Sequence, residues 1–216
     1  MPNFKRPIPL AAMKTEWIQI GVELLQHLTE RLRETYPSVT LALAGGCVRD
    51  QLNAMEPKDI DLVVIGAIPA DIEAGERGTD QHLFDMLQDY GYDMLEHYSK
   101  NMADSYATRF PGDEDRFDLI LKFRPDDLDA CGHYPLDVLF YNERYKTVAD
   151  IAASHDHSIN QFAAWIDEDG KLQWKYFGDV EGWGFCMQIR NGVTEERRVR
   201  VGEICSAIGW AYAGDL

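Results

Sequence analysis

Two short stretches hold residue types that could do chemistry, and they lie close together in Leu41–Val64, LALAGGCVRDQLNAMEPKDIDLVV. The first is Gly45-Gly46, which ends one aliphatic run and opens a helix-like segment. Bare backbone N–H groups at the start of a helix favour a phosphate through hydrogen bonding and through the helix dipole. Residues without a Cβ also let a ligand approach the main chain closely. The second stretch is Asp59-Ile60-Asp61, which opens the next aliphatic run. In an extended chain, carboxylates at i and i+2 point to one face while Ile60 points to the other. Two such anions repel unless a cation lies between them, and their natural use is to hold one or two magnesium ions over a polyphosphate. A solvated strand face would go on alternating with polar residues, whereas Leu62-Val63-Val64-Ile65 is apolar throughout.

The elements that must position these groups follow from apolar periodicity. Trp17, Ile20, Leu24, Leu25, Leu28 and Leu32 recur at helical spacing, which predicts a helix over about 16–36, with Thr15 as N-cap and Pro37 as stop. VTLALAGG and IDLVVIGA read as buried strands, with GCVRDQLNAM as a helix between them. DQHLFDMLQDYGY reads as a helix, and RFDLILKF and PLDVLFYN as short strands flanked by turn residues. TVADIAASHDHSINQFAAWI is predicted to be helical, GKLQWKYFGDV a strand, and TEERRVRVGEICSAIGWAYA a closing helix. Residues 66–80 and 98–115 read as loops where a lid or insertion would sit. The order predicts a mixed α+β fold with one central sheet and helices around it. A single domain is expected over 1–216: an N-terminal helix at about 15–36, core motifs at about 41–165, and a C-terminal strand and helix at about 171–212.

Composition narrows the class of partner. The 216 residues include 37 Asp and Glu against 21 Lys and Arg, a formal net charge of −16. A protein that grips nucleic acid along a broad face carries a basic stripe. Here no basic run is longer than Arg197-Arg198, and carboxylates cluster at PGDEDRFD and RPDDLDA. The charge therefore favours a small or metal-bridged ligand without excluding RNA. No run of about 18 uncharged apolar residues exists to cross a membrane. The N-terminus lacks an apolar signal core, and the four cysteines are scattered, which predicts a reduced, cytoplasmic protein.

Gly45-Gly46-Cys47-Val48-Arg49-Asp50 followed by Lys58-Asp59-Ile60-Asp61-Leu62-Val63-Val64 resembles the head domain of class II poly(A) polymerases and CCA-adding tRNA nucleotidyltransferases. These belong to the polymerase-β-like nucleotidyltransferase superfamily. The family's loop-and-helix motif and its Asp-x-Asp strand are matched at Gly45, Gly46, Val48, Arg49, Asp50, Asp59 and Asp61. The resemblance implies a third acidic residue on a neighbouring strand, for which Asp137 in PLDVLFY is preferred over Asp118 in RFDLILKF. It also implies an Arg-Arg-Asp motif followed by Phe-Thr-Ile-Asn. SHDHSINQF keeps Asp156, Ile159 and Asn160, has Ser158 for Thr, and puts Ser154 and His155 where both arginines belong. That departure removes charge-assisted phosphate contacts. Asp156 and Asn160, four apart on a helix, would grip a ribose or order the metal-binding strand; Asp156 could equally be a helix N-cap. EERRVRVGEICSAIGW resembles the family's arginine-bearing helix. There Arg197 and Arg200 are candidates for a triphosphate contact, or for surface pairs with Glu195 and Glu196.

The resemblance spans Leu41 to Trp210. Where a CCA-adding enzyme continues into neck, body and tail domains, with a base-selecting Glu-Asp-x-x-Arg motif, this sequence stops at Leu216, so a minimal nucleotidyltransferase is expected. The resemblance implies nucleotidyl transfer from an NTP, with Asp59, Asp61 and Asp137 holding two Mg2+ (or Mn2+) ions. Gly45 and Gly46 would carry the β- and γ-phosphates on backbone N–H groups, and Arg49 would pair with an inner carboxylate or touch phosphate. The acceptor would be an RNA (tRNA-like) 3′ end or, as in toxin-type enzymes, a protein hydroxyl. A catalytically silent nucleotide-binding module is the third reading. A rival zinc set, Cys131-Gly-His133 with His155-Asp-His157, has the wrong spacing for zinc. Trp165, Trp174 and Trp183 are expected in the core rather than in a base-stacking platform.

Overall fold

The computed structural model describes residues 6–70, 75–99, 116–126 and 134–213. Its centre is a mixed sheet of seven strands: β1 (Thr40–Ala44), β2 (Ile60–Ile65), β3 (Tyr92–Ser99), β4 (Phe117–Pro125), β5 (Leu136–Tyr141), β6 (Phe162–Ile166) and β7 (Leu172–Tyr176). The spatial order is β3-β4-β5-β2-β1-β6-β7. Only β2 and β5 pair in parallel; the other neighbours are antiparallel. Around the sheet lie α1 (Val22–Thr35), α2 (Gly46–Leu52), α3 (Thr79–Asp89), α4 (Val148–Ala153) and α5 (Glu195–Ile208). Two-residue strands β8 (Phe185–Cys186) and β9 (Ala211–Tyr212) pair beside α5. The α+β fold with a mixed central sheet is as the sequence predicts. No helix among the described residues is long and apolar enough to cross a membrane.

Strand alternation divides the apolar residues between two faces. Leu41, Leu43, Ile60, Leu62, Val64, Val138 and Phe140 point to the thicker face, where α1 contributes Leu24, Leu25, Leu28 and Leu32. Val48 and Leu52 of α2, Leu83 and Leu87 of α3, and Val201 and Ile208 of α5 join that cluster. The opposite face has a smaller cluster of Ala42, Ala44, Val63, Ile65, Ile120, Tyr141 and Ala163, covered by Ile151 of α4. Tryptophans 165, 174 and 183 are half-buried and pack against these clusters.

Three predicted helices differ in the structure, and one strand is not foreseen; the closing helix ends at Ile208, where Gly209 (φ +82°) caps it, and Ala211–Tyr212 lie in β9. The first helix begins at Val22, after a 3-10 turn at Thr15–Trp17. Gly21 precedes it with φ +82°, a left-handed conformation that favours glycine, so the chain bends there before α1 begins. Gln51 Oε1 accepts from the Gln19 and Ile20 amides at 2.8 and 2.6 Å, which satisfies backbone that a continuous helix would have bonded internally. The predicted helix over 147–166 is instead α4, a 3-10 turn (Ser158–Asn160) and strand β6. Thr147 and Asp150 form a capping box that starts α4. FAAWI has weak local preference, and pairing with β1 and β7 on either side makes it a strand. Strand β3 was unpredicted because five of its eight residues are exposed and leave no apolar alternation to read. Of the predicted loops, residues 98–99 lie in β3 and Thr79–Asp80 in α3, while 71–74 and 100–115 are outside the described residues.

Candidate active site

The Gly45-Gly46 turn joins β1 to α2. Gly45 has φ 73° and ψ −130°, a conformation side-chain-bearing residues avoid. Its N–H donates to Phe162 O at 2.8 Å, so the strand ladder already uses the amide expected to meet a phosphate. What Gly45 supplies is clearance. A Cβ there would lie 3.0 Å from His155 Cε1 and 3.7 Å from Asp61 Oδ2, so the turn and the Asp-x-Asp strand meet at this glycine.

The carboxylates occupy the thinner face of the sheet. Asp59 immediately precedes β2, and Asp61 shares the face of Val63 and Ile65. Asp61 is directly opposite Asp137 across the parallel β2–β5 pair, and Asp137 is directly opposite Lys122 across the antiparallel β5–β4 pair. Lys122, Asp137 and Asp61 thus form one row across three strands. Asp118 falls at the bulge where the β4–β5 register slips between Phe117 and Leu119, at the far end of β4 from Lys122. Burial, then the charges of Asp59 and Asp137, push Asp61 up to about 7, opposed by Lys122 and Arg197. Asp61 has no salt bridge among the described residues. Asp137 accepts from Lys122 Nζ at 2.6 Å. Burial alone would lower Lys122; the hydrogen bond and charge of Asp137 outweigh it and raise the ammonium's pKa.

The remaining predicted site residues form a second polar cluster. Arg49, 4% exposed, donates Nε to Asp50 Oδ1 at 2.7 Å and Nη1 to Asn160 Oδ1. Asn160 Nδ2 donates to Asp156 Oδ1 at 3.1 Å. Arg197 Nε donates to Asp156 Oδ2 at 2.6 Å, and its Nη2 reaches Oδ1 at 3.3 Å. Asp156 and Asn160 therefore meet as predicted from their spacing, but across a turn and a 3-10 helix instead of along one α-helix. Burial would raise Asp156; His157 Nδ1, 3.3 Å away, and Arg197 outweigh it and hold the carboxyl well below its usual range. Of the acidic neighbours, Glu195 pairs with Arg198, and Arg197 turns inward. Arg200 is exposed, and its charge acts on Asp50.

Three residues here were not singled out for this site by their sequence. Arg116, just before β4, donates Nη2 to Ser154 Oγ at 2.9 Å and to Tyr141 Oη at 2.7 Å, with its guanidinium 4.8 Å from the Phe117 ring centre. A guanidinium from a distant strand thus stands beside the position where the resemblance had lost one. His155 has a buried Nε2 with no hydrogen-bond partner among the described residues. Burial, then the charges of Arg116, Arg197 and Arg49, lower it to about 3, so its ring is neutral at pH 7. Lys122 is the third. Its place between Leu121 and Phe123 in LILKF marks its face, but no sequence signal names its partner.

Among the described residues, no group of three carboxylate, histidine or cysteine side chains is gathered to hold a metal ion. Asp59 and Asp61 nevertheless suit a hard divalent cation, having oxygen donors and a mutual repulsion a cation would relieve. Of the rival zinc set, Cys131 and His133 lie outside the described residues.

Neither a protein-family model nor a curated protein sequence matches the chain. Solved structures do share its fold. A tRNA-processing enzyme in an apo form has 16% identity and TM-score 0.53, over 89% of this chain and 44% of that one. A CCA-adding enzyme in complex with CTP has 17% identity and TM-score 0.51, over 81% and 35%. The Thermotoga maritima CCA-adding enzyme complexed with tRNA has 16% identity and TM-score 0.50, over 84% and 36%. The chain spans less than half the length of these structures. At such identity the likeness is one of fold.

Proposed function

With the fold of the CCA-adding enzymes as the premise, we propose that this chain is a nucleotidyltransferase that moves an NMP from an NTP to an acceptor hydroxyl and releases pyrophosphate. The observation that carries the reading is the meeting of two sequence signals in space. Asp61 faces Asp137 across β2 and β5, Asp59 stands two residues away, and Asp61 Oδ2 lies 3.7 Å from where a Cβ on Gly45 would be. Asp59 and Asp61, with Asp137 beside them, would hold Mg2+ or Mn2+. When bound, such an ion lowers the pKa of an attacking hydroxyl and neutralises triphosphate charge.

The chain's own residues do the rest. Of the two glycines, Gly46 is the half-buried one, and its backbone N–H rather than that of Gly45 would meet a phosphate beside the acidic row. Arg49 and Asn160 brace α2 against the Asp156 turn, a structural role in which Arg49 pairs with Asp50. Arg197 and Arg116 bring positive charge to the same corner, and the exposed Arg200 extends it. The whole of 1–216 acts as one nucleotidyltransferase domain in this reading.

For the acceptor, an RNA (tRNA-like) 3′ end follows from the resemblance, and the CCA-adding structure complexed with tRNA supports it. A protein hydroxyl is the second reading, favoured by the net charge of −16, which opposes a broad RNA footprint. A labelling assay decides between them. Purified protein is incubated with each α-labelled NTP, Mg2+ or Mn2+, total RNA and cell lysate, beside the Asp59→Ala, Asp61→Ala double variant. The expected result is a labelled RNA band that the variant loses. A labelled protein band lost in the variant would assign the acceptor to the second reading. Nucleotide binding with no label would make the chain a silent binding module and overturn the proposal.

A further inference from the structure

Lys122 is the one ammonium bonded to the acidic row among the described residues, and its position is fixed by the sheet. Its strand is paired on both sides, Lys122 opposite Glu96 of β3 and opposite Asp137 of β5. The backbone cannot carry the side chain away without breaking both ladders. Directly opposed positions bring side chains together on one face, and here Nζ reaches Asp137 Oδ2 at 2.6 Å. The two side chains are only 28% and 24% exposed. Lys58 is a different case. It is 4.0 Å from Asp59 with a side chain 70% exposed, and water screens that contact.

We propose that Lys122 is a resident cation of the acidic row. It stays on Asp137 while the site loads, so the cluster takes one divalent ion, at Asp59 and Asp61, where the three carboxylates alone would take two. The proposal rests on the nucleotidyl-transfer reading and deepens it. A second ion on Asp137 would have to displace Lys122, and the tethered ammonium would remain within a few ångströms and repel it. Asp137 is turned to Lys122, while Asp61 has no salt bridge among the described residues. Lys122 acts as a positioning residue, orienting Asp137 and fixing the number of ions.

The test counts Mn2+ bound to the nucleotide-free protein by electron paramagnetic resonance and calorimetry. The expected wild-type result is one Mn2+ per chain, with affinity falling at least tenfold in Asp61→Asn and less than threefold in Asp137→Asn. Lys122→Met is expected to take a second ion, and Lys122→Arg to keep one. Circular dichroism and thermal melts establish that each variant is folded. Two ions in the wild type, the second lost in Asp137→Asn, would overturn the proposal, as would a folded Lys122→Met that still takes one. No Mn2+ in the wild type, or binding indifferent to Asp61→Asn, would instead remove the metal-dependent reading on which it rests.

Discussion

The two faces of the central sheet are built from the same strands and do opposite things. On one face, Leu41, Leu43, Ile60, Leu62 and Val64 meet the leucines of α1 and the apolar sides of α2, α3 and α5. On the other, small residues such as Ala42, Ala44 and Ala163 leave a thin cluster under α4. Beyond that cluster the face is given to Lys122, Asp137 and Asp61 in a row. Because successive side chains alternate, one strand serves both purposes: Ile60 and Leu62 hold the fold while Asp59 and Asp61 face the site. The apolar packing lies on the thick face, while on the thin face the charges of Asp59 and Asp137 oppose ionisation of Asp61.

The comparison breaks most sharply at Asp61. Asp61→Asn is expected to cut nucleotide transfer by about a thousandfold or more, since it removes an oxygen donor needed in the transition state. Its effect on stability has the opposite sign. The folded pKa of about 7 lies above the unfolded value, so stability is full below about pH 4 and is lost as pH rises through 7. The metal-free variant should therefore be more stable than wild type at pH 8, by roughly 1–3 kcal/mol, with the difference vanishing near pH 4. Urea melts in EDTA at both pH values measure this; a variant less stable at pH 8 would mean that Asp61 supports the fold.

One residue away, the thick face should answer in the other way. Leu62 is fully buried, and Leu62→Ala is expected to cost about 3 kcal/mol through lost transfer energy and a cavity. Where the variant remains folded below its lowered melting temperature, transfer per folded molecule should fall less than about fivefold, against the thousandfold for Asp61→Asn. Activity lost ahead of stability would show that the two faces are coupled.

Asp156 lies between these extremes, since its partners Arg197, Asn160 and His157 make it both structural and close to the site. Its pKa is held down in the folded protein, so its contribution is present above about pH 4 and is lost as pH falls further. Asp156→Asn should cost about 1–2 kcal/mol at pH 7, and the gap to wild type should narrow by pH 3. Denaturant melts at the two pH values read it. A gap that stays constant would put the stabilisation in hydrogen bonds alone, without the charge of Arg197.

Much of this was legible in the chain. The runs around Leu41 and Leu62, the glycines between them and the i, i+2 aspartates announce two buried strands and a charged edge, because periodicity and backbone preference are local properties. Less legible were the elements whose state depends on neighbours. FAAWI is a strand because two others flank it, α1 starts late because Gly21 turns the chain through a left-handed conformation, and β3 is an edge whose exposed residues hide its period.

For the site the division is similar. By itself the sequence determined the residue types: Asp59 and Asp61 on one face, a glycine pair between strand and helix, and Asp156 and Asn160 four residues apart. Only the tertiary structure decided the pairings. It placed Asp137 rather than Asp118 opposite Asp61, set Lys122 on Asp137, brought Arg116 to Ser154, and bound the Gly45 amide to Phe162. The physical reason is register. A one-residue slip in β4 or β5 leaves composition and hydrophobic pattern nearly intact in the sequence, yet it exchanges every side chain between the two faces.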